Sequence, residues 1–142
     1  MLGVFACLGL YQWIQRKSIR KVDRTLLAML PPLILMAVVY IIFDKFWIVS
    51  TRPNGSGEPS FPSTHVMVTA TIFFMSIFAL PHYIKNRVLC VVLDVIMLTL
   101  IALVSVGRIL ANMHWPADVA GGLIFALAFT GLYLLIRKEL HA

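Results

Sequence analysis

The chain reads as an all-α, polytopic membrane helix bundle of about five transmembrane helices, the first short, with its reactive residues in loops on the outer face. Three observations lead there. Of 142 residues, 61% are apolar and only 13% are charged, and the mean hydropathy is +0.93. Soluble domains run nearer half apolar and a quarter charged, because a small globule must cover a large surface with polar groups. Long apolar runs recur, each bounded by charge or proline, and the basic residues gather at alternate connections. A water-soluble globule is thereby excluded. A bilayer-crossing helix uses about 20 residues, so five take roughly 100 positions and leave about 40 for loops and ends. The chain is therefore expected to form one integral-membrane domain, 1–142, with no attached soluble domain.

The first apolar run, 1–14, covers as a helix only roughly 21 Å of a hydrocarbon core about 30 Å thick, and is a short span or the tail of one. It makes a poor signal peptide, since its positive charge follows the apolar stretch and no small-residue cleavage site appears. The second run is 26–43, within which Pro31 and Pro32 remove backbone donors and predict a kink or the true helix start. Runs 66–80, 88–106 and 119–136 complete the set. The stretch 52–63, rich in Gly, Pro and Ser, reads as an ordered-to-flexible exterior loop.

Lys and Arg near span ends are retained on the cytoplasmic side. Arg16, Lys17, Arg20, Lys21 and Arg24 crowd the first connection, Lys85 and Arg87 the third, and Arg137 and Lys138 the C-terminal end, so nine of the twelve positive charges fall on one side. The other three, Lys45, Arg52 and Arg108, fall in the two opposite loops and call for another explanation. The net charge of +6 is thus mostly topology, and no basic-aromatic interleaving points to nucleic acid. Cys7 and Cys90 both sit in apolar runs and are expected as free thiols.

The outer loops carry Lys45, Arg52, Ser63, Thr64 and His65 on one side and Arg108, His114 and Asp118 on the other. Singly, each has a plain explanation. Lys45 can snorkel to the headgroups, Ser63 can cap a helix, and Asp118 can complement a helix dipole. Jointly, three fixed cations, two imidazoles and a carboxylate are the parts for binding a phosphate and transferring it without a metal or cofactor. Pro116 suits a first helical turn, which leaves His114 just outside a helix and puts Asp118 in its first turn, able to reach back and fix the imidazole tautomer. Ser63 and Thr64 open another helix, where free backbone N–H groups form an anion site. His65 at the mouth of that span suits a general acid for a departing alkoxide, and the planar fork of Arg52 suits phosphate oxygens.

This pattern resembles the three-part signature of the type 2 phosphatidic acid phosphatase superfamily, membrane lipid phosphatases of the histidine-nucleophile type. The resemblance lies in Lys45, separated by six residues from Arg52-Pro53, then Pro62-Ser63-Thr64-His65, then Arg108 with His114 and Asp118 behind it. It spans a motif core of 45–118 and implies a metal-independent phosphatase working through a phosphohistidine. Carried over by position, His114 is the nucleophile, Asp118 its orienting partner and His65 the proton donor. Lys45, Arg52, Ser63, Thr64 and Arg108 hold the phosphate. Two positions depart from the family pattern, Thr64 where Gly is usual and Gly107 where Ser is usual. Gly permits close backbone approach to an anion, so reduced or redirected activity is expected from Thr64. The family's membrane enzymes usually carry three spans before the first motif, and two are expected here.

A site at the membrane surface favours an amphiphile whose phosphate reaches the loops while its tail stays in lipid. The resemblance implies a substrate of the undecaprenyl diphosphate, phosphatidylglycerol phosphate, phosphatidic acid or lipid A phosphate type in a bacterial cytoplasmic membrane. The alternative is a small anion- or lipid-binding transporter without phosphatase activity. Its support is Asp94, an acid inside an apolar run, where ionisable groups are costly and often functional. Gly121, Gly122 and Gly131 allow close helix packing in any bundle.

Overall fold

The computed structural model describes residues 1–17 and 22–141. Six α-helices follow one another: α1 Leu2–Arg16, α2 Arg24–Leu27, α3 Leu30–Ile41, α4 Thr64–Tyr83, α5 Arg87–Leu110 and α6 Pro116–His141. Pro31 and Pro32 lie in the first turn of α3, so they mark a helix start, with the short α2 capped by Asp23 just before it. A π-helical turn, Ile42–Phe46, ends α3, and Trp47 N donates to the Ile42 carbonyl at 2.9 Å. Among the described residues four segments are long and apolar enough to cross a membrane: Arg24–Phe46, Thr64–Tyr83, Arg87–Leu110 and Pro116–Leu140. The first helix has 15 residues, roughly 23 Å at the α-helical rise, so it is as short as expected.

The surface explains the composition. Val88, Val91, Leu98 and Leu103 on α5, and Ile124 and Leu127 on α6, are exposed, which is stable only against hydrocarbon. Helix α4 is the central element, packed on α6 and α5. Met36, Met67 and Phe129 join α3, α4 and α6, and Ala70, Ile101 and Ala126 join α4, α5 and α6. A larger cluster around Leu26, Met75, Met97 and Tyr133 fills the opposite half and seats Phe5 of α1. Thr71, Ser76 and Thr130 are buried there, and each hydroxyl donates to the carbonyl one turn back, the economical way to satisfy a hydroxyl in lipid.

The two ends of the bundle differ. At one end Asp23 pairs with His82 at 2.9 Å, and Arg24 donates to the Leu140 carbonyl, so α2, the end of α4 and the end of α6 meet where the basic residues gather. Arg20 and Lys21, which the sequence assigns to this end, lie outside the described residues. The loops 47–63 and 111–115 meet at the other end. Cys7 is exposed, Cys90 is buried, and both are free thiols.

Candidate active site

The first loop is more ordered than the Gly, Pro and Ser content of 52–63 suggests. Thr51 and Pro59 form an antiparallel bridge, Ser60 N donates to the Ser50 carbonyl at 2.8 Å, and Arg52 N donates to the Glu58 carbonyl at 3.1 Å. Gly55 and Gly57 supply the left-handed backbone of the tip, at φ +77° and +74°, a region that L side chains rarely adopt. This small hairpin is tied to the second loop, where Trp115 Nε1 donates to the Thr51 carbonyl at 3.0 Å.

Helix α6 then holds the start of α4 in place. Ser63 N donates to the Asp118 carbonyl at 3.0 Å. Gly122 lets the Ser63 carbonyl approach so closely that a Cβ would sit 2.9 Å from it, and a Cβ on Gly121 would sit 2.4 Å from the Phe61 ring. Gly131 has open space around it, so of the three glycines only the first two serve a close approach.

His114 is buried, 4% exposed. Its Nδ1 lies 2.9 Å from the Ser60 carbonyl, and its Nε2 lies 3.2 Å from Arg108 Nη2. A carbonyl only accepts and a guanidinium only donates, so these partners assign the proton to Nδ1 and leave the lone pair on Nε2. Burial pushes the His114 pKa below its ordinary value and the Arg108 charge pushes it further, against the smaller opposing pulls of the Ser60 carbonyl and Asp118. The ring is therefore neutral at neutral pH, with the Nε2 lone pair directed at a guanidinium, from which it accepts.

Asp118 does not make the contact the sequence suggests. Its Oδ2 is 3.8 Å from His114 Nδ1, beyond hydrogen-bonding range. It accepts instead from the Ser60 hydroxyl, from Trp115 N at 2.8 Å and, through Oδ1, from Ser50 at 3.1 Å. The Ser60 carbonyl has taken the position beside the imidazole. Asp118 fastens the segment that carries that carbonyl and acts on His114 at one remove.

Arg52, Thr64 and His114 line a small pocket with Phe43, Asp44, Pro59, Phe61 and Pro62. Arg52 Nε, Arg108 Nε and the Ser63 hydroxyl are buried without a hydrogen-bond partner. Buried donors are nearly always paired, and these three unpaired ones, one on a lining residue (Arg52), one on the guanidinium against His114 (Arg108) and one between Pro62 and Thr64 (Ser63), suit an anion. Ser63 also answers the helix-capping alternative, for its hydroxyl makes no capping bond to α4. His65 lies in an adjoining groove of about 310 Å³ with Tyr40, Val68 and Thr69, joined to the pocket through Thr64.

Lys45 is not among the pocket residues. Its side chain is 71% exposed and pairs with Asp44 at 2.7 Å, while Asp44 lines the pocket. The π turn is the cause, since its extra residue rotates the adjoining side chains by about 100° relative to an α-helix and turns Lys45 outward. Asp94, on α5, has a buried Oδ1 without a partner and stands fourteen positions before Arg108, roughly 21 Å along the helix from the pocket end. Sequence reasoning passes over Ser50, Ser60, Glu58, Asp44 and Trp115. Only Glu58, the single acid between Arg52 and His65, has a signal that could have been used. Among the described residues no three His, Cys, Asp or Glu side chains converge as a metal-ligand cluster.

A helical membrane bundle with an arginine and a histidine lining one pocket, and a second arginine donating to that histidine, fits the class of a membrane phosphatase, a hydrolase. The chain belongs to the PAP2 superfamily, whose family model matches residues 40–142. Its fold is similar to the crystal structure of a transmembrane PAP2-type phosphatidylglycerolphosphate phosphatase from Bacillus subtilis. That likeness has a TM-score of 0.68 and 23% identity over 97% of this chain and 67% of that one. A comparison with curated proteins finds no match.

Proposed function

We propose that the protein is a lipid phosphatase that removes a terminal phosphate from a membrane lipid through a phosphohistidine on His114. The observation that carries this reading is the His114 ring, held through Nδ1 by Ser60 with its unprotonated Nε2 turned to Arg108, near the unpaired donors of Arg52 and Ser63. The Nε2 lone pair attacks phosphorus, the P–O bond to the lipid breaks, and His65 gives its proton to the leaving alkoxide. Water then gives a proton to His65 as it attacks the phosphorus of the phosphohistidine, and the P–N bond breaks, which releases inorganic phosphate and restores His114 and the protonated His65. The arginines and Ser63 stabilise the charge that builds on the equatorial oxygens.

The groove beside Thr64 supports a lipid over a soluble substrate, because it leads away from the pocket along α3 and α4. The named phosphatidylglycerolphosphate activity of the similar fold makes that lipid, with phosphatidic acid, the first to test, and undecaprenyl diphosphate the second. Nine of twelve positive charges outside the site loops favour a cytoplasmic membrane with the pocket on the outer face, in one domain over 1–142. Transport without hydrolysis draws its support from Asp94, far along α5 from the pocket.

Phosphate release from phosphatidylglycerol phosphate in detergent, with chelator present, tests the chemistry. Turnover should persist with chelator and vanish in His114→Ala, and an acid-labile phosphoprotein should be trapped in the wild type. Full activity in His114→Ala sinks the mechanism. For the face, a cysteine at Ser56 in a background lacking Cys7 and Cys90 should react with an impermeant thiol reagent on intact cells. Labelling only after lysis reverses the orientation.

A further inference from the structure

We propose that Glu58 and Asp44 are specificity-determining counter-ions of the phosphate pocket, which tune it toward phosphomonoesters and against diphosphates. The inference rests on the phosphatase reading and adds the headgroup to it. The chain has only six Asp and Glu side chains, and half of them, Asp44, Glu58 and Asp118, stand at the pocket end, where Lys45, Arg52 and Arg108 also lie. Asp118 is taken up by the Ser60, Ser50 and Trp115 donors. The other two act on the cations directly.

Glu58 Oε2 lies 2.6 Å from Arg52 Nη1. The pair is built into the hairpin, because Arg52 N also donates to the Glu58 carbonyl and the two residues therefore face each other across one rung. The carboxylate takes one corner of the guanidinium and leaves Nε buried without a partner on the other. A phosphate oxygen can reach Nε without displacing Glu58, so Glu58 both aims the fork and offsets its charge. Asp44 does the corresponding thing to Lys45. The π turn sets the Asp44 carboxylate at the pocket wall and leaves the ammonium outside, paired with it. Two of the three cations at this end, Lys45 and Arg52, are thus matched by carboxylates before any ligand arrives, while Arg108 faces His114.

An anion entering such a pocket gains less from each added negative charge than it would among unpaired cations. A phosphomonoester brings about two charges at neutral pH and a diphosphate ester about three. The extra phosphoryl group must lie within several ångströms of Asp44 or Glu58, at a partly wetted surface where one charge pair at that range changes an equilibrium about three- to tenfold. Both carboxylates are exposed enough to remove without disturbing the helices, since Glu58 is 58% and Asp44 28% exposed.

Farnesyl monophosphate and farnesyl diphosphate share one tail and differ only in the phosphate, so they isolate the charge. The full chain in detergent micelles should prefer the monophosphate in kcat/KM. Glu58→Gln and Asp44→Asn should each raise the diphosphate-to-monophosphate ratio about three- to tenfold, mainly through KM, with the gain shrinking at high salt. Glu58→Asp should stay near the wild-type ratio. A ratio that stays within twofold in both neutral variants, or moves toward the monophosphate, overturns the inference while leaving the phosphatase reading intact. Competition between inorganic phosphate and pyrophosphate, read by thermal shift, asks the same question without turnover. If the wild type hydrolyses neither lipid but the variants still shift that competition toward pyrophosphate, the phosphatase reading falls and the counter-ion role stands.

Discussion

The Nδ1 of His114 and the carbonyl oxygen of Ser60 are 2.9 Å apart, and this contact, not one to Asp118, fixes the imidazole. Asp118 reaches the ring through the segment it fastens, because its carboxylate accepts from the Ser60 hydroxyl. Ser60→Ala keeps the carbonyl but frees the segment, and kcat should fall about tenfold with little change in KM. Asp118→Ala strands the Ser60, Ser50 and Trp115 donors, each costing about 1–3 kcal/mol when left buried and unpaired, and should lower both the melting temperature and kcat, the latter by about a hundredfold or more. Steady-state kinetics with thermal unfolding in detergent checks the pair. Wild-type behaviour in Ser60→Ala beside an inactive but stable Asp118→Asn would restore a direct carboxylate–imidazole contact.

The pH profile is set by the same ring. In the proposed mechanism, attack requires neutral His114. Burial and the Arg108 charge disfavour its cationic form and hold its pKa below the ordinary value. The competent form of His114 therefore persists as pH falls past about 6.5, and on the acid side activity is lost as pH drops through the depressed value. The acid limb of kcat/KM in the wild type should lie below about 6.5, and in Arg108→Gln, where one of the depressing charges is gone, it should move upward. An acid limb above 6.5 in the wild type would contradict the assignment of His114 as the nucleophile.

The three expected cations should not behave alike. Arg52 Nε and Arg108 Nε are buried donors without partners, and a hydrogen bond to a charged group contributes about 1.5–3 kcal/mol. Arg52→Ala and Arg108→Ala should each lower kcat/KM by about tenfold to a hundredfold. Lys45 is turned outward on Asp44, and exposed ion pairs contribute little, so Lys45→Ala should stay within about threefold of wild type. A loss in Lys45→Ala as large as that in Arg52→Ala would mean that the π turn at 42–46 rearranges when phosphate binds.

Helices and loops were legible to different degrees for physical reasons. The spans could be read because a bilayer demands long apolar runs, and runs 26–43, 66–80, 88–106 and 119–136 each fall inside an observed span. Pro116 announced α6, and with it the placement of His114 outside the helix and Asp118 within its first turn. The features that could not be read depended on tertiary contact. Nothing in the pattern says that a backbone carbonyl, that of Ser60, reaches His114 before Asp118 does, since every residue has a carbonyl. The π turn that exchanges Asp44 for Lys45 adds no residue of unusual type. The hairpin at 50–60 was hidden because only a single bridge, Thr51 to Pro59, defines it, too short for any alternation to show.

Two glycines of α6 hold the corner at Phe61 and Ser63 against the helix, and the third serves as their control. At Gly122 an added Cβ meets the Ser63 carbonyl at 2.9 Å and Met67 N at 3.2 Å. Both are backbone atoms that cannot swing aside, so Gly122→Ala must push the start of α4 away from α6. Forcing an extra methyl into packed structure costs about 1–3 kcal/mol, and the displaced Ser63 should also lose phosphate affinity. Gly122→Ala should therefore lower the melting temperature and raise KM together. At Gly121 the obstacle is the Phe61 ring, 2.4 Å away, and Phe61 is edge-packed on Phe43 at 5.6 Å between centroids. That ring can tilt, so Gly121→Ala should lower stability by less and disturb the Phe43 side of the pocket. Gly131 meets nothing, and Ala there removes only the helix penalty of glycine, about 1 kcal/mol, so Gly131→Ala should melt at or above the wild-type temperature with unchanged kinetics. Thermal unfolding and KM measured on the three variants side by side decide the matter: equal losses at all three positions would show a general intolerance of α6 to bulk and remove the special role of Gly122 in seating Ser63.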